Sequence, residues 1–176
     1  MEREVAWFVS VGIVLLVAFL WLAFRTAWGV FVPLTVVLVS GLWTLGIMVA
    51  TGKEVDVMTV VLPTILFVVG ISDVVHVLTR YYDERRADVS HQEAMTRAFR
   101  EVGLATFLTS LTTALGFLTL LTSSIGPVHD FGVYSAVGVG VAYVLAFTLL
   151  PSVMVLVPPP ELSKQGTGVF WNGALH

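Results

Sequence analysis

The sequence contains no cysteine, and only 12% of its 176 residues are charged. The missing cysteines exclude disulfides and thiolate metal sites. A soluble domain is typically about 25% charged, so the low charge content argues against an ordinary soluble protein. A formal net charge of −3 is too small to indicate a nucleic-acid partner.

Motifs for cofactors are also missing. There is no glycine-rich phosphate-binding motif, so the sequence predicts neither ATP nor a dinucleotide cofactor. The four histidines lie in four different segments, which argues against a metal site. These are His76, His91, His129 and His176.

Long apolar runs dominate the chain, which is 57% hydrophobic with a mean hydropathy of +0.93. Five runs have about the 20 residues that a membrane-spanning helix needs. We therefore predict an all-α, polytopic membrane helix bundle over residues 1–157, followed by a cytoplasmic tail or linker over 158–176. The predicted spans cover about residues 5–24, 30–50, 57–79, 104–122 and 129–157.

A sixth, amphipathic helix is predicted over about residues 91–102. Ser90 and Glu93 form a capping-box pattern at its start. An apolar stripe follows, with charged residues on the other side, and the segment is too short and too charged to span. We expect it to lie flat on the cytoplasmic membrane surface. The stripe consists of Ala94, Met95, Ala98, Phe99 and Val102.

Basic residues predict the orientation in a cytoplasmic membrane. Seven lysines and arginines fall on the side of the first turn and only two, Arg3 and Lys53, on the other. The positive-inside rule then places the N-terminus outside and the tail inside. Five spans beginning outside suggest a piece of a longer chain. The seven are Arg25, Arg80, Arg85, Arg86, Arg97, Arg100 and Lys164.

Asp73 interrupts the third apolar run. A charged Asp near the bilayer centre costs about 2.5–3.5 kcal/mol, so we interpret it as functional. Helical spacing places Asp73, three residues before His76, on the same face as His76. Ser72, four residues before His76, also shares a face with it. We predict a proton relay of Asp73, His76 and Ser72. The alternative is a polar pair that serves only helix packing.

Small residues predict a close helix contact in the fifth run. Gly132, Ala136 and Gly140 recur every four residues, which lets another helix approach closely.

Several motifs together resemble the resistance–nodulation–division (RND) superfamily, and most of all its MMPL-type lipid exporters, which are related to sterol-sensing domains. The resemblance covers about residues 25–158. Its motifs are Gly70-Ile71-Ser72-Asp73 with His76, Arg80-Tyr81-Tyr82, the run from Thr109 to Phe117, Pro127, Phe131-Gly132 and Leu149-Leu150-Pro151.

The resemblance implies half of a transporter membrane domain, comprising spans two to six of one repeat. It implies export of hydrophobic or lipid-like molecules driven by the proton gradient, with Asp73 at the position of the family's membrane acids. Many relatives have two adjacent acids at this position, whereas this chain has Ser72 followed by Asp73. By analogy, the hydroxyls of Thr109, Thr112 and Thr113 would support Asp73.

The implied partners are the lipid bilayer, the second repeat and extracytoplasmic domains; a homo-oligomer is also compatible. The alternative function is a non-transporting lipid sensor or partner-binding module similar to sterol-sensing domains. No enzyme is predicted, since an intramembrane aspartyl protease needs a second membrane Asp and a Gly-x-Gly-Asp motif, and the sequence has neither.

Overall fold

The computed structural model describes residues 14, 17–22, 24–53 and 59–157, and its regular elements are helices. Each of four long helices has the length and composition to cross a membrane, which confirms the predicted helical membrane bundle. They are α1 (Ala27–Ala50), α2 (Leu62–Arg86), α3 (His91–Leu118) and α4 (Gly126–Leu156), with 3-10 turns at Thr59–Val61 and Thr119–Thr122.

The first predicted span lies mostly outside the described residues, as does the tail over 158–176. Residues 17–22 and Phe24 are helical. The chain then turns at Arg25, which has a positive φ of 50°. Thr26 caps α1, because its hydroxyl accepts a hydrogen bond from the Gly29 amide at 3.1 Å.

Helices α2 and α4 form the centre of the described bundle. They contact each other, and each also contacts both α1 and α3, whereas α1 and α3 do not contact each other in the described part of the chain. Gly70 of α2 lets both α1 and α4 approach closely. A Cβ there would lie 3.0 Å from Val37 Cγ2 of α1 and 3.7 Å from Ala142 Cβ of α4. The face of α2 around Gly70 is therefore held tightly between two helices.

Helix α3 differs from the sequence prediction. The predicted surface helix over 91–102 and the span from 104 form one continuous helix, so the predicted break between them is wrong. Gly103 costs about 1 kcal/mol inside a helix but keeps its amide donor, so it does not end the helix. The cap is as predicted, since Ser90 is the N-cap and accepts a hydrogen bond from the Glu93 amide.

The apolar stripe of this first part of α3 faces the core. Ala94 and Ala98 are fully buried, and Met95, Phe99 and Val102 pack against the same core cluster. Because this stripe continues into the spanning part, the helix packs against α2 and α4 along its length instead of lying apart from the bundle.

The predicted small-residue stripe on α4 departs from the structure at Gly140. A Cβ at Gly132 would lie 2.7 Å from both Leu120 Cβ and the Phe117 carbonyl oxygen, whereas one at Gly140 would meet nothing within 4 Å. Ala136 is buried, and Gly138 instead approaches α1 and α2. Four-residue steps drift by about 40° each around a helix, so the third member points away.

The bundle has two ends. The turn end holds Arg25, the connection between α2 and α3, and Val157, whose carbonyl accepts a hydrogen bond from Trp28 Nε1 at 3.1 Å. At the far end, Lys53 Nζ lies 2.7 Å from Asp130 Oδ2. The hydroxyls of Thr51 and Tyr134 also bond there. These contacts fasten α1 to α4 at both ends.

Candidate functional site

Asp73 lies inside the bundle on α2 and is 3% exposed. Its hydrogen-bond partner is Ser110 of α3, whose Oγ lies 3.2 Å from Asp73 Oδ2. Ser110 is itself buried, with 5% of its surface exposed. One polar contact therefore crosses the interface between α2 and α3 in the apolar part of both helices.

The surroundings of Asp73 are apolar. Val74 and Val77 are fully buried beside it. Within the described residues, no lysine or arginine forms an ion pair with its carboxyl group. A carboxyl group with a neutral hydroxyl partner and no cation beside it is able to gain or lose a proton without breaking an ion pair.

Ser72 and His76 differ from Asp73 in exposure. Both side chains are exposed on the described bundle. No hydrogen bond joins either of them to Asp73 in the regions that the structure covers. The three predicted relay residues are therefore not assembled into one hydrogen-bonded group within this chain.

The three predicted supporting hydroxyls do not reach Asp73. Thr109 donates to the Ala105 carbonyl oxygen at 3.0 Å. Thr112 and Thr113 both donate to the Thr109 carbonyl oxygen, at 2.9 and 2.8 Å. Each hydroxyl thus bonds to its own helix. Ser110, which the sequence interpretation did not assign to Asp73, takes that position.

A helical signal for Ser110 is present in the sequence. Extending the inward stripe from Phe99 and Val102 at the helical period leads to Thr106 and Ser110, both of which are buried. Thr109 and Thr112 fall off this line. The predicted break before residue 104 concealed this signal. With a break there, the inward face of residues 91–102 does not determine which residues after 104 face inward.

A group of charged residues, which we call the Glu84 cluster, joins α2 to α3 near the turn end. Glu84 is 8% exposed and lies between two arginines. Arg80 Nη2 lies 2.6 Å from Glu84 Oε1, and Arg97 Nη1 lies 3.2 Å from Glu84 Oε2. The outer members are Glu93, 2.6 Å from Arg97, and Glu101, 2.7 Å from Arg80.

Other chemistry has little support in the described structure. Among its residues there is no group of three or more His, Asp or Glu that could hold a metal ion. A shallow, largely apolar crevice lies at the far end of α3, lined by Thr113, Gly116, Phe117 and Leu120. Its lining offers no set of acids, bases or nucleophiles for catalysis.

Comparisons with known proteins agree with the membrane architecture. The model of the MMPL family matches residues 1–174. The protein MJ1562 of Methanocaldococcus jannaschii is 29% identical over 156 residues, which are 89% of this chain and 40% of that protein. This chain therefore spans less than half of that relative.

Two further relatives are named for more specific roles. The hopanoid transporter HpnN of Burkholderia multivorans is 26% identical over 86% of this chain and 18% of its own length. Mouse protein dispatched homolog 1 is 40% identical over 43% of this chain and 5% of its own length. No solved structure matches.

Proposed function

Since this chain belongs to the MMPL family, we propose that it is part of the membrane portion of an RND-type exporter for hydrophobic or lipid-like molecules. Its four described spanning helices support a multi-pass membrane protein. The relative named as a hopanoid transporter supports a lipid-like substrate. The driving force in this proposal is the proton gradient, and Asp73 is the group that carries the proton.

The buried contact between Asp73 and Ser110 carries the proposal. Asp73 is nearly inaccessible, yet its hydrogen-bond partner is a neutral hydroxyl rather than a cation. A structural Asp at this depth would gain more from a buried arginine or lysine, because an unpaired charge is costly in an apolar setting. The arrangement supports a carboxyl group that alternates between charged and neutral forms.

Protonation would change the packing of α2. A neutral Asp73 no longer requires a polar environment, so the helix is free to repack against α3 and α4. One proton that crosses 100 mV supplies about 2.3 kcal/mol, which biases two arrangements of similar energy without fully reversing a strong preference. Several protons, or an added pH gradient, would be needed in each transport cycle.

The exposed faces suggest where the rest of the transporter lies. Ser72 and His76 point away from the described bundle and would face the second repeat or a second copy of the chain. There they would pass protons to Asp73 and tune its protonation. Extracytoplasmic domains elsewhere in the protein would contribute substrate selection.

The orientation is also part of the proposal. Arg25, Arg85, Arg86 and Arg100 lie at or near the turn end, which the positive-inside rule places in the cytoplasm. The far end, with Lys53 and Asp130, would face outside an inner (cytoplasmic) membrane.

The test is efflux of the fluorescent hydrophobic dye Nile red from cells that produce the full-length protein. Asp73→Asn keeps the shape of the side chain but removes the exchangeable charge, so efflux should be lost at unchanged protein level. Asp83→Asn is the matched control, because Asp83 lies on the same helix in an exposed pair with Arg86. Undiminished efflux by Asp73→Asn would contradict the proton-carrying role.

A lipid sensor is the competing function, which the resemblance to sterol-sensing domains implies. A proton-entry assay distinguishes the exporter from the sensor. It uses vesicles that contain the purified full-length protein and an internal pH dye. The exporter proposal expects proton entry that Asp73→Asn removes. A sensor should show no proton entry, and Asp73→Asn should leave its lipid binding unchanged.

A further inference from the structure

We infer that Glu84 is a positioning residue that fixes the register of α3 on α2, so that Ser110 meets Asp73. The functional importance of this register rests on the proposed proton-carrying role of Asp73. The register itself is a property of the helix pair and is measured without reference to transport.

The two carboxyl groups lie on one face of α2. Glu84 follows Asp73 by eleven residues, about three helical turns and roughly 16 Å along the axis. Both are buried, and both contact α3. The Glu84 contact to Arg97 and the Asp73 contact to Ser110 therefore fix two points on the same interface.

A second charged contact restrains the same interface. Arg80 lies 2.6 Å from Glu84 in its own helix and donates from Nε to Glu101 of α3 at 2.7 Å. Glu84 and Arg80 thus reach α3 at Arg97 and Glu101, which are one helical turn apart. Two such contacts oppose both sliding and rotation of α3.

The apolar part of the interface offers weaker restraint. Ala94 and Ala98 of α3, and Val77 and Leu78 of α2, are fully buried. Small and aliphatic side chains tolerate several offsets of two helices, particularly in a membrane, where lipid tails are as apolar as the side chains. A buried carboxylate that loses its cation has no comparable alternative, so it selects one offset.

Glu84 differs from Asp73 in its partners. It accepts ion-pair contacts from Arg80 and Arg97, one on each carboxylate oxygen. Asp73, with a hydroxyl partner, differs in this respect, so the two buried carboxyl groups have different tasks.

The experiment measures the offset of α3 on α2 by spin-label distances in the full-length protein in lipid vesicles. The labels replace Thr64 on α2 and Leu115 on α3, both exposed on this chain, which has no cysteine of its own. Glu84→Gln should shift or broaden the distance distribution. Arg97→Gln should do the same, and Arg97→Lys should restore the original distribution.

The matched control is Glu93→Gln, which removes the partner of Arg97 within α3 but leaves its bridge to Glu84. It should keep the original distribution. Should Glu84→Gln fail to fold, the comparison of Arg97→Gln with Arg97→Lys decides. An unchanged distribution in Arg97→Gln, or an equal change in Glu93→Gln, would overturn the inference.

Dye efflux then separates this inference from the proposed function. If the register shifts in Arg97→Gln while Asp73→Asn still exports Nile red, the proton-carrying role fails and the register role stands. If Asp73→Asn abolishes efflux and no cluster variant alters the distances, the register role fails alone. With both correct, Arg97→Gln should lower efflux about tenfold, the effect of one lost interaction of about 1.4 kcal/mol.

Discussion

Ser110 Oγ and Asp73 Oδ2 lie 3.2 Å apart across two helices that are adjacent in the chain. Since the hydroxyl is both a donor and an acceptor, it is able to bond to either protonation state of the carboxyl group. A charged Asp73 accepts from Ser110, and a neutral Asp73 donates to it after one rotation of the hydroxyl. This contact therefore persists through a proton cycle.

Substitution of Ser110 should weaken transport. Ser110→Ala leaves a buried carboxylate without its donor, and hydrogen bonds to charged groups contribute about 1.5–3 kcal/mol, so Nile red efflux should fall roughly tenfold or more. Ser110→Thr keeps the hydroxyl and should retain most efflux. Thr109→Ala is the neighbouring control, since Thr109 bonds to its own helix. Equal losses in Thr109→Ala and Ser110→Ala would contradict this expectation.

Gly132 should be far less tolerant of a side chain than Gly140. A Cβ at Gly132 meets the Phe117 backbone at 2.7 Å, whereas Gly140 has open space. Gly132→Ala should destabilise by about 1–3 kcal/mol, as overpacking does. Thermal unfolding of the purified full-length protein is the measurement, and Gly140→Ala should leave the midpoint at or above that of wild type, because alanine is the better helix former. A midpoint in Gly132→Ala as high as in Gly140→Ala would exclude this packing role.

The Lys53–Asp130 pair should give the far end a pH-dependent contribution. The hydrogen bond and charge of Asp130 raise the pKa of Lys53 above its ordinary value of 10.5. A raised lysine pKa means that the stabilisation is fully present below pH 10.5 and is lost as the pH rises through the raised value. The effect should be small, because the pair is exposed and screened by salt.

The measurement for Lys53 is the unfolding midpoint of wild type and Lys53→Gln from pH 7 to 12 at low salt. The difference between the two should shrink at the alkaline end. A difference that instead grows with pH would show that the ion pair is not its source.

Much of the bundle was predictable because hydrophobic length alone identifies spanning helices. The second predicted run, 30–50, and α1 end at the same residue, and α4 begins three residues before the predicted 129. Buried Asp73 was also recognisable, since an acid inside an apolar run is costly. These features are local in the chain.

The missed features depend on rotation and on partners distant in sequence. Ser110 is not identified from the sequence, because a break after residue 102 leaves the rotation of the following span about its axis undetermined. Glu84 looked like one charge among many in a polar stretch. Its partner Arg97 lies thirteen residues away on another helix. Sequence periodicity identifies the inner face of one helix, but it does not say which residue of the next helix meets it.

The lack of contact between α1 and α3 in the described chain divides the bundle mechanically. Within these residues α3 is connected to α1 only through α2 and α4. A displacement of α3 would therefore reach α1 only by way of the two central helices.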